Sequence, residues 1–445
     1  MPPTVAQEWM QRETTPPPSP PSLPVLGHAP RFARDPFGFV SDAVESVGDR
    51  FVMDLCGRQI YVLANPSDIE TALLDRESFA KLDDFRIAFG DALLSVEGTQ
   101  WQRQRHAMEE FFSPRRIGES ADTIRQVTER RVGGWDPDQP VELDREMRQL
   151  ALRNLFEAVL GQSLSDDEFD DLAAAANALN GWFEPSSWAL PQWVPTPARR
   201  RFRQGSAELR DWARSLLSQT APSTDEGLLS TLVALRDDPT TEFDQAEVLD
   251  QVVGMLFAGH ETTALAMTYA IHQLGRNPEI QREVATEIDS TVGSEPSLRA
   301  LQGIDVLDAV VDETLRLFPP IHGIPRVTTT AVSLGEHTIP AESEVLLAVW
   351  NLHRDERFYD DPETFDPERW AETTPREKGY QYVPFGAGPR ICIGRHFARL
   401  EMKMALVSVL RRYRVRAPEP VTVSPQMTSQ PSGPVHVELA RRNRE

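Results

Sequence analysis

FGAGPRICIG, residues 385–394, sets one of the chain's two cysteines between glycines, after Pro384 and just ahead of an apolar-periodic stretch. The other, Cys56, sits in the turn CGR between FVMDL (51–55) and QIYVL (59–63). Those two runs alternate apolar and polar residues and predict a β-hairpin, in whose turn Cys56 carries no role. Two cysteines in 445 residues form no disulfide framework, which fits a reducing cytoplasm. The question is what a lone thiol in a glycine-rich turn would touch.

Working outward, the pattern from about 100 to 320 is helical almost throughout. The segment from about 243 to 275 is apolar on nearly every face (Val248, Leu249, Val252, Val253, Leu256, Phe257), so it reads as a helix buried in the middle of a large protein. AGHETT (258–263) breaks it with a glycine, an acid and two hydroxyls. Buried polar groups are costly unless paired or used, and Gly259 inside a helix costs about 1 kcal/mol relative to Ala. Such a local conflict marks a functional site. It is not a zinc helix, because the second histidine of that motif is replaced by Ala264. A further helix ends at DETLRLFPP (312–320), stopped by Pro319 and Pro320. Glu313 and Arg316 share its face and can pair; taken alone they read as a surface ion pair. FDPERW (365–370) follows, and GRHFARLEMKMALVSVLRRY closes this region as an amphipathic helix.

The flanks and composition bound the rest. PPPSPPSLP (16–24) cannot form a helix, and residues 1–25 read as an extended or disordered leader ahead of one domain, 26–445. EPSSWALPQWVPTP (184–197), following Trp182 and Phe183, is either a packed interhelix loop or an apolar lid. A net charge of −22 argues against nucleic acid. Lys81, Lys378 and Lys403 are the only lysines; a high-salt cytoplasm or a GC-rich genome would each give this bias. Neither a signal peptide nor a membrane-spanning run is present, so a soluble cytoplasmic protein is expected.

Four motifs now stand in one order: Ala258–Gly259–x–Glu261–Thr262–Thr263, Glu313–x–x–Arg316, Phe365 to Trp370, and Phe385–Gly386–x–Gly388–x–Arg390–x–Cys392–x–Gly394. Together with DALLSVEGTQWQRQRHAMEEFF (91–112), they resemble the cytochrome P450 family over roughly residues 25 to 440. The cysteine signature is highly specific; Glu-x-x-Arg is weak alone and strong in this company. The resemblance implies a mainly α fold with small β-sheets, the triangular prism of that family, with β-rich parts near 45–65 and 325–350. It also implies heme b with Cys392, as thiolate, its axial ligand. A glycine-rich turn lets backbone N–H groups approach the sulfur, and the helix start after it favours negative charge. By the same resemblance Phe385 shields the sulfur, Gly386, Gly388 and Gly394 allow close approach to the porphyrin, and Trp101, Arg105, Arg390 and Arg326 hold its propionates. Glu313, Arg316 and Arg369 match a structural triad, now expected to be buried.

The activity implied is monooxygenation. Glu261 and Thr262 match the acid–alcohol pair that delivers protons for O–O cleavage. That pair favours O2 with two supplied electrons over a peroxide-driven or isomerase enzyme, or a haem-binding sensor or carrier without turnover. The chain ends at ARRNRE without a fused reductase, so a ferredoxin or flavodoxin with an NAD(P)H-dependent reductase is expected. Arg103, Arg395, Arg399 and Lys403 are candidates for a basic docking patch. Phe89, Ala258, Ile321, Ile324 and Met427 match substrate-contact positions and suit a lipophilic substrate such as a fatty acid, isoprenoid or carotenoid.

Overall fold

A computed structural model describes residues 15–163, 165–183, 194–223, 227–293 and 296–442. Residues 184–193, with most of the loop read as packed or lid-like, lie outside the described residues. The chain divides into two compact units. The first comprises Met1–Leu82, Gly323–Asp360 and Gly379–Ile391, the second Asp83–His322, Asp361–Lys378 and Cys392–Glu445.

The first unit holds a five-stranded sheet. Its strands are β1 (Arg50–Leu55), β2 (Arg58–Leu63), β3 (Phe79–Ala80), β4 (Ile324–Thr328) and β5 (Glu344–Leu347), in the order β1-β2-β5-β4-β3. The β1–β2 hairpin closes through Cys56 and Gly57, both at positive φ (58° and 93°), the geometry a tight two-residue turn requires. β2 pairs parallel with β5, Tyr61 opposite Val345; β4 runs antiparallel to β5, Arg326 opposite Val345. One core of Val52, Tyr61, Leu63, Leu73, Phe79, Val345 and Leu347 packs against the sheet. Residues of the proline-rich stretch lie along β1. The Val52 N–H donates to Pro18 O at 2.8 Å, the Ser19 hydroxyl donates to Val52 O at 2.9 Å, and the His28 ring bonds Pro20 O at 2.9 Å.

The second unit is helical. The helices that matter for the site are α1 (Gly98–Glu109), α2 (Leu143–Asn154), α3 (Pro197–Gln219), α4 (Gln245–Arg276), α5 (Asp305–Leu317) and α6 (Arg395–Leu410). The short strands β6 (Val423–Pro425) and β7 (Ser429–Pro431) form a hairpin beside them. Asp244 caps α4 by accepting the Glu247 N–H at 2.7 Å. α4 then runs 32 residues with α2, α3, α5 and α6 packed on it. Gly259 lets α2's continuation come close: a Cβ there would meet the Leu155 methyls at 3.3 Å. α5 ends at Leu317, ahead of Pro319, because a proline cannot continue the hydrogen-bond ladder. α6 differs from its amphipathic reading. From Leu400 to Leu410 every residue is buried, including Glu401, Lys403 and Ser408. Its polar positions are internal, so alternating polarity here marks pairing inside the protein rather than a wet face.

Candidate active site

Cys392 lies just before α6, whose N-cap is Gly394. Its side chain presents surface to solvent, yet protein crowds it enough that burial pushes the thiol up from its ordinary value. Crowding by protein and an exposed face thus coexist at this one sulfur. The Gly394 N–H and the Arg105 and Arg395 guanidiniums pull the other way without offsetting burial. Arg105 stands one helical turn after the buried Trp101 on α1, and burial holds its guanidinium below the usual arginine value. No cluster of three metal-ligating side chains exists among the described residues.

α4 supplies the second element. It is buried on all sides except at Met255, Ala258, Gly259 and Thr262 through its middle turns. Those positions are spaced i, i+3, i+4 and i+7, one face of a helix. Ala, Gly and Thr beside one flexible Met make this face of a buried helix suited to a flat or apolar guest. Thr262 donates its hydroxyl to Ala258 O at 2.8 Å, so the only hydroxyl of the face folds back on the helix. Glu261 is off this face, at 1% exposure. Its Oε1 accepts from the Asn180 amide at 2.8 Å and from the Gln430 amide. Burial raises its pKa from the ordinary value, against the pull of these donors and of Arg148.

The proposed substrate positions separate. Ala258 is exposed, and Ile321 and Met427 are half-buried. Phe89 has no exposed surface: its ring centre lies 4.8 Å from that of Phe257 and 6.2 Å from that of Phe183. It packs within an aromatic cluster behind the face. Phe183 and Trp182 continue that aromatic cluster, toward Phe85 and Phe202 respectively.

In the first unit, Gly386 and Gly388 both adopt φ of 67°. A Cβ on Gly388 would lie 2.8 Å from Leu74 Cδ2 and 3.1 Å from Leu73 O. This glycine is required by its own fold and not only by an approaching cofactor, which amends the sequence reading. Gly394, by contrast, has nothing nearer than Phe112 at 3.9 Å. Phe385 and Ile324 are half-buried. Arg390 donates to Phe79 O at 2.7 Å, and the buried Arg326 to Pro325 O at 2.8 Å. His353 accepts the Val383 N–H at 2.9 Å, which fixes the chain entering the glycine-rich turn. In the second unit the His322 ring bonds Gln426 O at 2.8 Å.

Glu313, Arg316 and Arg369 meet in the second unit. Arg316 binds Glu313 through two N–H groups at 2.8 Å each, both side chains fully buried. Arg369 adds a bond at 3.0 Å. Arg316 also donates to Pro362 O and Thr364 O. The surface ion pair read from Glu-x-x-Arg alone is thus the centre of a buried network.

The family model for cytochrome P450 matches residues 17–439. The chain belongs to the cytochrome P450 family. It is 30% identical over 409 residues to cyclooctat-9-en-7-ol 5-monooxygenase of Streptomyces melanosporofaciens, covering 89% of both chains. It is 30% identical over 415 residues to cyclooctatin synthase of the same organism, again covering 89% of each. It is 28% identical over 419 residues to pentalenene oxygenase of Streptomyces avermitilis, covering 92% of this chain and 93% of that one. This P450 is a monooxygenase with a haem-iron cofactor, and it takes electrons from a redox partner and acts on a lipophilic substrate. No helix among the described residues is long and apolar enough to cross a membrane.

The basic patch expected on this P450 is largely spent internally. Arg103 pairs with Glu247 at 2.8 Å, Arg399 with Asp308 and Asp312, and the buried Lys403 with Asp308 at 2.5 Å. Like-signed residues in sequence had carboxylate partners up to about 150 positions away. The sequence reading also missed Asn180 and Gln430 on Glu261. It missed Trp370 as well, whose indole N–H donates to Glu313 Oε2 at 3.0 Å.

Proposed function

We propose that this P450 inserts one oxygen atom of O2 into a C–H or C=C bond of a terpenoid substrate, with a heme b whose iron the Cys392 thiolate would hold. The carrying observation is the accessible stripe Met255–Ala258–Gly259–Thr262 on an otherwise buried helix, in the same unit as the accessible Cys392 sulfur. Bound haem supplies O2 activation and O–O cleavage. The residues do the rest. Trp101 and Arg105 on α1, with Arg390 and Arg326, are donors suited to propionate carboxylates. Gly386 and Gly394 leave room at the turn, and Phe385 covers its apolar side. Ala258, Ile321, Ile324 and Met427 offer apolar contact, matching substrates such as those named for the relatives. Thr262 and Glu261 hold and pass protons: the hydroxyl can release Ala258 O and turn to the exposed face of the helix, and burial favours the protonated form of the acid. The stoichiometry is one oxygen atom to substrate and one to water, with two electrons and two protons consumed. A ferredoxin or flavodoxin with its NAD(P)H-dependent reductase supplies the electrons.

The test is the carbon-monoxide difference spectrum of the reduced, haem-loaded protein, beside Cys392→Ser. A thiolate-type Soret band in the parent, lost in the variant, supports the ligand assignment; the same band in both refutes it. Screening cyclic terpene hydrocarbons and alcohols by spin-state shift then tests the substrate class. No shift with any of them, but one with fatty acids, would move it.

A further inference from the structure

Glu261 is held in an unusual way for a buried acid. Two amides, Asn180 Nδ2 and Gln430 Nε2, both donate to Oε1. Oε2 has no hydrogen-bond partner among the described residues and no exposed surface. The amides come from separate segments, 81 and 169 residues away in sequence. Asn180 belongs to the 3-10 turn Leu179–Trp182, which continues into Phe183 of the aromatic cluster behind the α4 face. Gln430 lies in β7, three residues after the half-buried Met427 at the hairpin tip. Gln430 is itself oriented: its Oε1 accepts from Arg148 Nη2 at 2.7 Å, and its Nε2 also donates to Thr428 Oγ1 at 2.7 Å. That fixes which end of the amide faces the acid.

We propose that Asn180 and Gln430 are positioning residues that clamp Glu261 by one oxygen, leaving the other free to exchange a proton with the relay. The proposal rests on the reading of Glu261 as the relay acid. A carboxyl gripped at both oxygens could not release a proton without breaking a bond; one ungripped would be free to turn away within its buried site. Gripping Oε1 alone answers both. The Asn180 segment also carries Phe183 of the aromatic cluster behind the α4 face, so its displacement is felt at the acid. The charged group reaching Glu261 from a packed element is Arg148 of α2. From its own helix the neighbour is His260, held neutral by burial, and the two clamping segments bring no charge among Leu179–Trp182 and Ser429–Pro431.

The test is infrared difference spectroscopy of the haem-loaded protein against Glu261→Gln, which assigns the Glu261 carboxyl and carboxylate bands, titrated with pH. Asn180→Leu and Gln430→Met each remove one N–H donor at similar volume. Each is expected to shift the bands and to raise their pH midpoint by about one unit, because a donor to the ionised form is lost. A thermal melt of each variant shows whether it folds, and either one alone suffices for the reading. Bands and midpoint the same as the parent's in the folded variants would overturn the clamp. The carbon-monoxide spectrum is independent of this titration. A normal thiolate band with unshifted Glu261 bands sinks the clamp alone; shifted bands without a thiolate band leave the clamp and remove the monooxygenase reading.

Discussion

Thr262 donates its hydroxyl to the carbonyl one turn back, a bond worth little enough to exchange for another partner. Thr262→Ala is expected to keep O2 uptake while most of the reducing equivalents emerge as peroxide, measured as product formed per NADPH. Gly388 makes a different prediction. Gly388→Ala puts a Cβ at φ 67° and 2.8 Å from Leu74, and should cost about 1–3 kcal/mol in chemical denaturation. At this scale the sequence was informative where chemistry forces one residue type, as at Cys392 and the glycines around it. It was silent on Asn180 and Gln430, because a lone amide in sequence looks the same whether it faces water or a buried acid. Only chain folding over 81 and 169 residues supplies the partner. Phe89 shows the converse: its apolar type suits substrate contact and aromatic packing alike, and the sequence carried no sign of its ring partners Phe257 and Phe183.

Among elements, the network around Glu313 ties α5 to the segment 362–370 through Arg316, Arg369 and Trp370. Removing the acid strands two arginines, one of them fully buried, so Glu313→Leu is expected to lose about 3–5 kcal/mol or fail to fold. Trp370→Phe removes one donor to a charged acceptor and should cost about 1.5–3 kcal/mol. Urea melts of both variants rank them. The periodicities for the β1–β2 hairpin, α4 and α5 were legible because one repeat ran cleanly between strong stops. α6 was not, since Glu401, Lys403 and Ser408 fall where a wet face would put them. The sheet was legible only as pieces: the parallel β2–β5 pairing joins residues more than 280 positions apart, and no local pattern encodes it.

For the whole molecule, pH and charge act through opposed groups. His260 is fully buried, and desolvation lowers its pKa to about 4 from 6.5. Between those values the unfolded chain binds a proton that the folded one refuses. Stability is therefore full above pH 6.5 and falls by about 3 kcal/mol as pH drops to 4. His260→Gln should flatten that limb of the melting-temperature profile. Glu401 works in the other direction: burial holds it protonated well above its ordinary value of 4.5. The folded state then retains a proton the unfolded state has released, and stability declines as pH rises. Glu401→Gln should gain on the parent progressively toward alkaline pH. At a net charge of −22, self-repulsion is long-ranged and screened by salt, so melting temperature should climb between low and moderate sodium chloride. The proline-rich stretch along β1 has one more consequence. β1 is an edge strand, and an unpaired edge is a template on which a second chain can add. Pro18 occupies that edge as an acceptor with no N–H of its own to offer onward, and Ser19 adds its hydroxyl to Val52 O. The covering segment thus ends the sheet instead of extending it, and a chain begun after residue 22 is expected to self-associate more than the full one, read by size-exclusion chromatography.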